Sequence, residues 1–367
     1  MDDEGVPHIN NPGKDREVNE LFEIYYKKMR DKGVSQDEID KRIREIFKKS
    51  TEEAAEFLYA DLVERKEDVL NERHEYENGF EERLYQTWKT PLDLLESYII
   101  VSTEMGESFS KILRKKSTGS NVFLYEAILK LHANACKIGG EIFTLLSSGY
   151  ADGANARWRS LHELVVTATI ISGGGNELAE RYLDHGNIES YHALLEYQGH
   201  IDHLQKFGHE KFSPQEVKEV EEAHAKLIEK YGGEYDNRYG WAAKFLNKGR
   251  PSFADLEESA GLSHLRPFYR MASHAVHANP KSVLFSLGLI NQGEFLLAGP
   301  SNAGLADPGQ GLAISLVQMN NILLGLEPSF TSIITMKMGE IYVKEISSEF
   351  MKSHYEVAKK WGAEKNP

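Results

Sequence analysis

A helical pattern with two distinct faces between Tyr150 and Ser172 constrains this chain more than any other feature. Apolar side chains recur every three or four residues, which places them on one face of an α-helix: Trp158, Leu161, Leu164, Val165, Ala168 and Ile171. Beside them runs a row of polar side chains, here named the first polar stripe: Asp152, Asn155, Arg159 and His162. Glu163 follows Arg159 by one turn, at a spacing that allows pairing. We expect this helix to bury one face and to bring polar groups to a candidate site.

The same periodicity recurs along most of the chain and predicts an all-α protein. A helix over Val122 to Ser147 should form an antiparallel pair with the next one, because only a short turn at Gly149 joins them. The GGGN segment should end the second helix, and Glu177 to Phe207 should form another. Only Val283 to Leu297 has strand character. We therefore expect an irregular helical bundle with at most one small β-hairpin.

The N-terminal third is charged and predicts a helical extension. Residues 1–14 lack periodicity and read as a loosely held arm, and Ser35 and Ser50 each have the spacing of a helix cap. From Thr51 to about Asn78, sparse apolar residues predict one buried seam: Phe57, Leu58, Leu62, Val69 and Leu70. The segment KKSTGSN marks the clearest internal boundary. We divide the chain into a charged N-terminal region, residues 1–117, and a helical core domain, residues 118–367.

Composition limits the partners and the compartment. The formal net charge of −14 argues against a broad surface for nucleic acid or anionic lipid, although it leaves room for a local basic groove. No apolar run has the roughly 20 residues that a membrane-spanning helix needs. The single cysteine, Cys136, lies in an apolar helical run and reads as a buried hydrophobe. The N-terminal segment has no apolar core typical of a secretory signal, so we expect a cytoplasmic protein without a membrane partner.

A second polar stripe precedes the segment ANPKS, where polar residues again recur at three or four: Arg266, Arg270, Ser273, His274 and His277. Arg157-x4-His162 and Arg270-x6-His277 resemble the spacing of the HEPN class of helical ribonucleases. That resemblance implies cleavage without a metal, in which arginine stabilises the phosphate and histidine handles the protons. The alternative is structural: Arg159 pairs with Glu163, and His162 belongs to a buried network.

A metal site is a further alternative. Glu189 with His192 and Glu221 with His224 have the Glu-x-x-His spacing of di-iron helical bundles, and His200 with His203 adds another pair. Such a site also needs two more inward-facing glutamates, for which Glu126 and Glu141 are loose candidates. His224 shares a stripe with apolar residues, which is more typical of a core histidine. We therefore expect no metal and no cofactor.

Two motifs carry a resemblance to a known family. The run ARWRSLHEL, from Ala156 to Leu164, and the later run SHAVHANP, from Ser273 to Pro280, resemble a bacterial family of unknown function of the DUF5677 type. The resemblance covers roughly Val122 to Pro280. It implies a helical domain in which the polar residues of both motifs converge: Arg157, Arg159, His162, Glu163, His274 and His277.

These observations lead to an ordered set of functional hypotheses. The first is a HEPN-like, metal-independent ribonuclease of toxin or phage-defence type, with RNA in a local cleft. A non-enzymatic helical sensor or binding module is the alternative, and a di-metal oxidoreductase is a distant one. A homodimer and a protein partner at the N-terminal helices are both compatible with the sequence. We expect both stripes to face one cleft, with these candidate catalytic residues: Arg157, Arg159, His162, Glu163, Arg270, His274 and His277.

Overall fold

The computed structural model describes residues 12–116, 120–274, 276–277, 280–290 and 296–360. Helices account for most of these residues and no strand occurs among them, so the predicted all-α class is confirmed. Within these ranges, none of the helices combines the length and the apolar composition that a membrane crossing requires. Residues 1–11 of the predicted arm lie outside the described residues, and the first helix already begins at Pro12.

The chain divides into two compact units, Met1–Gly79 and Phe80–Pro367. The first contains α1 (Pro12–Arg30), α2 (Gln36–Glu64) and the beginning of α3 (Lys66–Lys116). The cap predicted at Ser35 is confirmed, because its hydroxyl accepts a hydrogen bond from the amide of Glu38 at 3.4 Å. The boundary predicted at residue 117 stays a prediction.

Two expectations for the first unit are wrong. Ser50 does not begin a helix, because α2 runs through it and the next hydroxyl, on Thr51, bonds back to the carbonyls of Phe47 and Lys48 within the same helix. The apolar seam is not buried either: its side chains are 44–72 % exposed. Among the described residues of this unit only Ile39 is buried, so the helices cover few of their own apolar side chains.

The second unit continues α3 and then follows a long series of helices. They are α4 (Val122–Ser147), α5 (Ala151–Asp184), α6 (Gly186–Leu204), α7 (Pro214–Tyr231), α8 (Gly240–Leu246), α9 (Phe253–Ser259), α10 (Arg266–His274), α11 (Pro280–Leu284), α12 (Ala306–Gly325) and α13 (Phe330–Lys360). Ser213 and Glu216 form a complete capping box at the start of α7. Short 3₁₀ turns occur at Gln205–Phe207, Gly233–Asp236 and Ser263–Leu265.

Helices α4, α5 and α12 form the centre of this unit. The predicted pairing of α4 with α5 is confirmed, and Gly149 in the turn between them adopts a φ of +79°, which favours glycine. Helix α12 packs on both, and α13 packs on α12. Trp158 on α5 faces α12, where its indole N–H donates to the hydroxyl of Ser315 at 3.0 Å. The indole N–H of Trp158 is thus paired as well as buried.

A hydrogen-bond network ties α3 into the same core. The buried amide of Asn320 on α12 donates to the hydroxyls of Tyr98 and Ser102 on α3, at 3.0 and 2.8 Å. Its carbonyl oxygen lies 2.8 Å from Nε2 of His132 on α4. Cys136, one turn after His132, is a free buried thiol, as the sequence predicts. Because these groups satisfy one another, three helices share one polar contact in which both ends of the Asn320 amide are paired.

The segment after Ser172 differs from its prediction. Gly175 has φ +68° and ψ −157°, outside the helical region, yet α5 resumes after this kink and ends only at Asp184. The predicted helix over Glu177 to Phe207 is therefore two elements, separated at His185. The strand character of 283–297 is absent from its described residues, since Pro280 starts the short helix α11 and no strand follows, which agrees with the expectation of at most one small β-hairpin. Residues 291–295 lie outside the described residues.

The burial of Trp158 gives a stability prediction. We expect Trp158→Ala to lower the free energy of unfolding by about 3–5 kcal/mol, because it empties a large core site and removes the partner of Ser315. Urea unfolding followed by circular dichroism measures the change. Tyr355→Ala on α13, where the side chain is exposed, is the matched control and should change stability little. Equal stability of the two variants would contradict the packing of Trp158 against α12.

Candidate functional site

His162 lies at the centre of a buried polar contact between three helices. Its Nε2 lies 2.9 Å from Oε1 of Glu257 on α9, and both side chains are completely buried. The other carboxylate oxygen of Glu257 accepts a hydrogen bond from the guanidinium of Arg266 on α10. Nδ1 of His162 has no hydrogen-bond partner among the described residues. We name this contact the Glu257 cluster: Glu257, His162 and Arg266.

Aromatic rings surround the imidazole of His162. Trp158 stacks on it with ring centroids 5.6 Å apart, Phe253 meets it edge-on at 6.0 Å, and Tyr269 lies at 5.8 Å. Burial lowers the pKa of His162, and the hydrogen bond to Glu257 opposes this shift. Burial is the larger effect, so the pKa stays below its ordinary value of 6.5 and the ring is neutral near pH 7. A neutral imidazole then donates Nε2–H to the carboxylate.

Arg159 and Glu163 belong to a neighbouring contact with Tyr269. Nε of Arg159 donates to Oε1 of Glu163 at 3.2 Å, which confirms the predicted pairing. The hydroxyl of Tyr269 donates to the same oxygen at 2.6 Å, and the guanidinium carbon of Arg159 lies 4.8 Å from the centre of its ring. Burial, followed by the hydrogen bond to Glu163, raises the pKa of Tyr269 to about 12. The phenol therefore stays protonated and fixes the carboxylate.

Arg157 points to a different neighbour. Its Nε is bonded to the carboxylate of Glu141 on α4, and both side chains are about one-third exposed. The pair links the two central helices near the protein surface. Arg157 and His162, which share the Arg-x4-His spacing, thus interact with different partners in different environments.

His274 and His277 line an open cavity of about 480 Å³, here named the His274 cavity. The beginning of α5 forms another part of its wall through Asp152 and Asn155. Both oxygens of Asp152 accept hydrogen bonds, one from the hydroxyl of Ser286 at 2.6 Å and one from the amide of Leu287 at 3.0 Å. Within the described part of the chain, the two histidines thus reach solvent beside a carboxylate that is already bonded.

The structure divides the residues for which we expected one cleft. Residues near the start of α10 contact Arg159, His162 and Glu163, while its C-terminal end lies beside the start of α5. Helices α5 and α10 therefore run in opposite directions, so the start of one stripe lies beside the end of the other. Arg270 is exposed, and neither Arg159 nor His162 is among the residues that line the His274 cavity. Whether any of these residues is catalytic stays a prediction.

The segment that carries the second polar stripe differs from the rest of the chain because it lacks acidic residues. Between Glu258 and Glu294 the sequence contains no Asp and no Glu, although the chain as a whole has 57 acidic residues. The same segment holds several cationic or titratable groups: His264, Arg266, Arg270, His274, His277 and Lys281. A locally basic surface can bind an anion even on an acidic protein, because salt screens charges beyond about 10 Å.

The glutamates considered for a dinuclear metal site have other partners. Glu126 accepts a hydrogen bond from Lys130 at 2.5 Å, and Glu141 is paired with Arg157. His200 and His203 are exposed on α6. The Glu-x-x-His spacings therefore do not come with the two additional glutamates that a dinuclear metal site needs.

Sequence reasoning missed Glu257 and the role of Tyr269. Glu257 lies on the short helix α9, distant in sequence from both stripes, and no spacing relates it to His162. Tyr269 read as an apolar member of its helix. Its position three residues after Arg266, on the face that meets α5, was the available signal.

Comparison with known proteins agrees with the resemblance that the two sequence motifs indicate. Residues 125–294 match the model of a family of unknown function, DUF5677. The match includes both motifs on which the resemblance rested and confirms it over these residues. No curated protein and no solved structure matches the chain.

The neutral state of His162 gives a prediction for pH. The unfolded chain protonates this imidazole near its ordinary pKa of 6.5, whereas the folded chain does so only at lower pH. Stability should therefore fall as the pH decreases below 6.5, by at most about 1.4 kcal/mol per pH unit from this group. His162→Gln should remove this part of the slope, measured by urea unfolding between about pH 7 and pH 5.

His132 provides the matched control for this measurement. It is also buried, and burial lowers its pKa, but it bonds to Asn320 and not to a carboxylate. His132→Gln should leave the contribution of His162 in place. An unchanged slope in His162→Gln would contradict a lowered pKa of His162 in the folded protein.

Proposed function

We propose that the protein cleaves RNA without a metal ion at the His274 cavity, with Arg270, His274 and His277 as the catalytic residues. The observation that carries this proposal is the placement of two solvent-reached histidines in a segment free of acidic residues. An RNA phosphate supplies the negative charge that such a segment binds. Arg270 and His277, which have the second Arg-x-His spacing, are both exposed and so are open to a substrate.

The chemistry needs one base and one acid beside a phosphate. A neutral imidazole takes the proton of a ribose 2′-hydroxyl, and the oxygen attacks the adjacent phosphorus. The bond from phosphorus to the 5′-oxygen breaks, and a second, protonated imidazole gives that oxygen a proton. The products are a 2′,3′-cyclic phosphate and a 5′-hydroxyl. His274 and His277 would take these two roles, and Arg270 would stabilise the additional charge on the phosphate.

The other candidate residues fit a positioning role in this proposal. His162 is completely buried and hydrogen-bonded to Glu257, so a substrate does not reach it. Arg157 is held by Glu141, and Arg159 with Glu163 is held by Tyr269. The contacts of Tyr269 with Arg159 and Glu163 support the packing of α10 on α5, which places the second stripe. We propose a cytoplasmic role as a toxin or in phage defence, since such cleavage would act on cellular RNA.

The test is cleavage of labelled single-stranded RNA by the purified full chain in excess EDTA. Wild-type protein should cut, and His277→Ala and His274→Ala should each lower the rate by about 10²–10⁴-fold through loss of acid or base. His264→Ala is the matched control, because His264 is exposed in the same acid-free segment but does not line the cavity. Circular dichroism checks that each variant is folded.

Two results would decide against cleavage. Absence of cutting by wild-type protein, or equal rates in wild type and His277→Ala, would reject the catalytic assignment. RNA binding without cleavage, weakened by Arg270→Ala, would instead support the alternative of a helical binding module. In that case the acid-free segment would serve only as an anion-binding surface.

We also propose that the N-terminal helices contact a second copy of the chain. Apolar side chains on α1 and α2 are exposed, including Leu21, Phe57 and Tyr59 at 66–72 %. Clusters of exposed apolar residues are typical of protein interfaces. Light scattering should give twice the 41.6 kDa mass of one chain, and Phe57→Ser should shift the population towards the monomer. Tyr355→Ser is the control at an exposed position on α13. A wild-type monomer at all concentrations would contradict this interface.

A further inference from the structure

Two histidines and an aspartate meet where α6, α7 and the 3₁₀ turn Gly233–Asp236 come together. Oδ1 of Asp236 lies 3.1 Å from Nε2 of His192 on α6 and 2.8 Å from Nε2 of His224 on α7. All three atoms lie within 4.8 Å of one another. The group is partly open to solvent, with His192 and Asp236 about half exposed and His224 mostly buried. We name it the Asp236 cluster.

The carboxylate of this cluster stands on an anchored turn. Tyr235, the preceding residue, is completely buried, and its hydroxyl donates to the carbonyl oxygen of Arg181 on α5. The guanidinium of Arg181 in turn donates to the carbonyl oxygen of Trp241 at 3.1 Å and lies 5.1 Å from the ring centre of Tyr235. These contacts fix the backbone that carries Asp236. A preorganised ligand loses little entropy when an ion binds.

His224 is held in place as well. Its ring stacks on that of Tyr191, with centroids 3.9 Å apart and an angle of 25°. His192 follows Tyr191 directly and is more exposed, so small rotations of its side chain adjust the third ligand atom. Two ligands are therefore fixed, and the third is adjustable.

The donor set favours a transition-metal ion over Mg²⁺ or Ca²⁺. Imidazole nitrogen suits Zn²⁺ and its neighbours, whereas Mg²⁺ and Ca²⁺ prefer oxygen ligands. With zinc–ligand distances of about 2.0–2.1 Å, tetrahedral ligand atoms lie about 3.3 Å apart. The two observed separations from Oδ1 are close to this value. An ion would replace the protons that the two imidazoles share with a single carboxylate oxygen.

We propose that His192, His224 and Asp236 bind one divalent transition-metal ion, for which Zn²⁺ is the best match. Three protein ligands leave a coordination position for water. The ion would join α6, α7 and the turn that α5 anchors, and so stabilise this part of the second unit. The site is mononuclear, because the group of ligands found among the described residues includes neither Glu189 nor Glu221.

This site is independent of the proposed RNA cleavage and departs from the expectation of no metal. Its histidines belong to the two Glu-x-x-His spacings, but its third ligand is an aspartate that no helical spacing relates to them. None of the three residues lines the His274 cavity. Loss of the metal site and loss of cleavage are therefore separately measurable.

The test is titration of the EDTA-treated and dialysed full chain with ZnCl₂ by isothermal calorimetry near neutral pH. One equivalent should bind, and the melting temperature should rise with Zn²⁺ because the ion binds the folded state. His192→Ala and Asp236→Asn should each weaken this binding by about 100-fold. His203→Ala, an exposed histidine on the same helix, is the matched control and should bind as wild type does. MgCl₂ should give no comparable binding.

Several outcomes would overturn the site. Wild-type protein that takes up less than a tenth of an equivalent of Zn²⁺ would reject it outright. Equal affinity in wild type and Asp236→Asn would place the ion elsewhere, since this substitution keeps the size of the side chain but removes its charge. A loss in His203→Ala as large as in His192→Ala would indicate binding to exposed histidines in general. Circular dichroism of each variant separates loss of ligand from loss of fold.

Discussion

The arrangement of the candidate site depends on the burial of one carboxylate, Glu257. A buried charge costs several kcal/mol unless donors replace the water that it loses. His162 and Arg266 supply those donors from two other helices, so the charge is stable only while α5, α9 and α10 remain packed together. The aromatic rings around His162 exclude water and strengthen both hydrogen bonds. The same contact that orients the second polar stripe therefore removes His162 from solvent.

Local signals in the sequence predicted the parts of the fold that depend on local interactions. The periodicity of α4 and α5, the cap at Ser35 and the pairing of Arg159 with Glu163 involve residues no more than a few turns apart, and all are present. The cap at Ser50 failed because α2 runs uninterrupted through this position, so the backbone amides after Ser50 bond within the helix and need no cap. The buried seam failed because burial depends on what packs against a helix, which periodicity does not contain.

The candidate site shows the same division between local and tertiary information. Arg157-x4-His162 and Arg270-x6-His277 are similar as spacings, yet one histidine is buried beside Glu257 and the other is exposed three residues after the end of α10. Spacing determines which side chains share a helix face, but neighbouring elements determine whether solvent reaches that face. Glu257 and Asp236 come from a short helix and a turn, where sequence carries little periodic signal. Residue spacing therefore could not identify the carboxylates of Glu257 and Asp236.

Helix α5 connects the two proposed sites and also separates them. Before the kink at Gly175 it carries His162 and the wall of the His274 cavity; after the kink it carries Arg181, whose contacts anchor the turn that bears Asp236. Gly175 adopts backbone angles that a residue with a side chain rarely takes, so the direction of the second half does not follow from the first. An ion at the Asp236 cluster would stabilise the second half without contacting the buried carboxylate of the first. Chemistry at the His274 cavity and stability at the Asp236 cluster are then separate properties of one continuous helix.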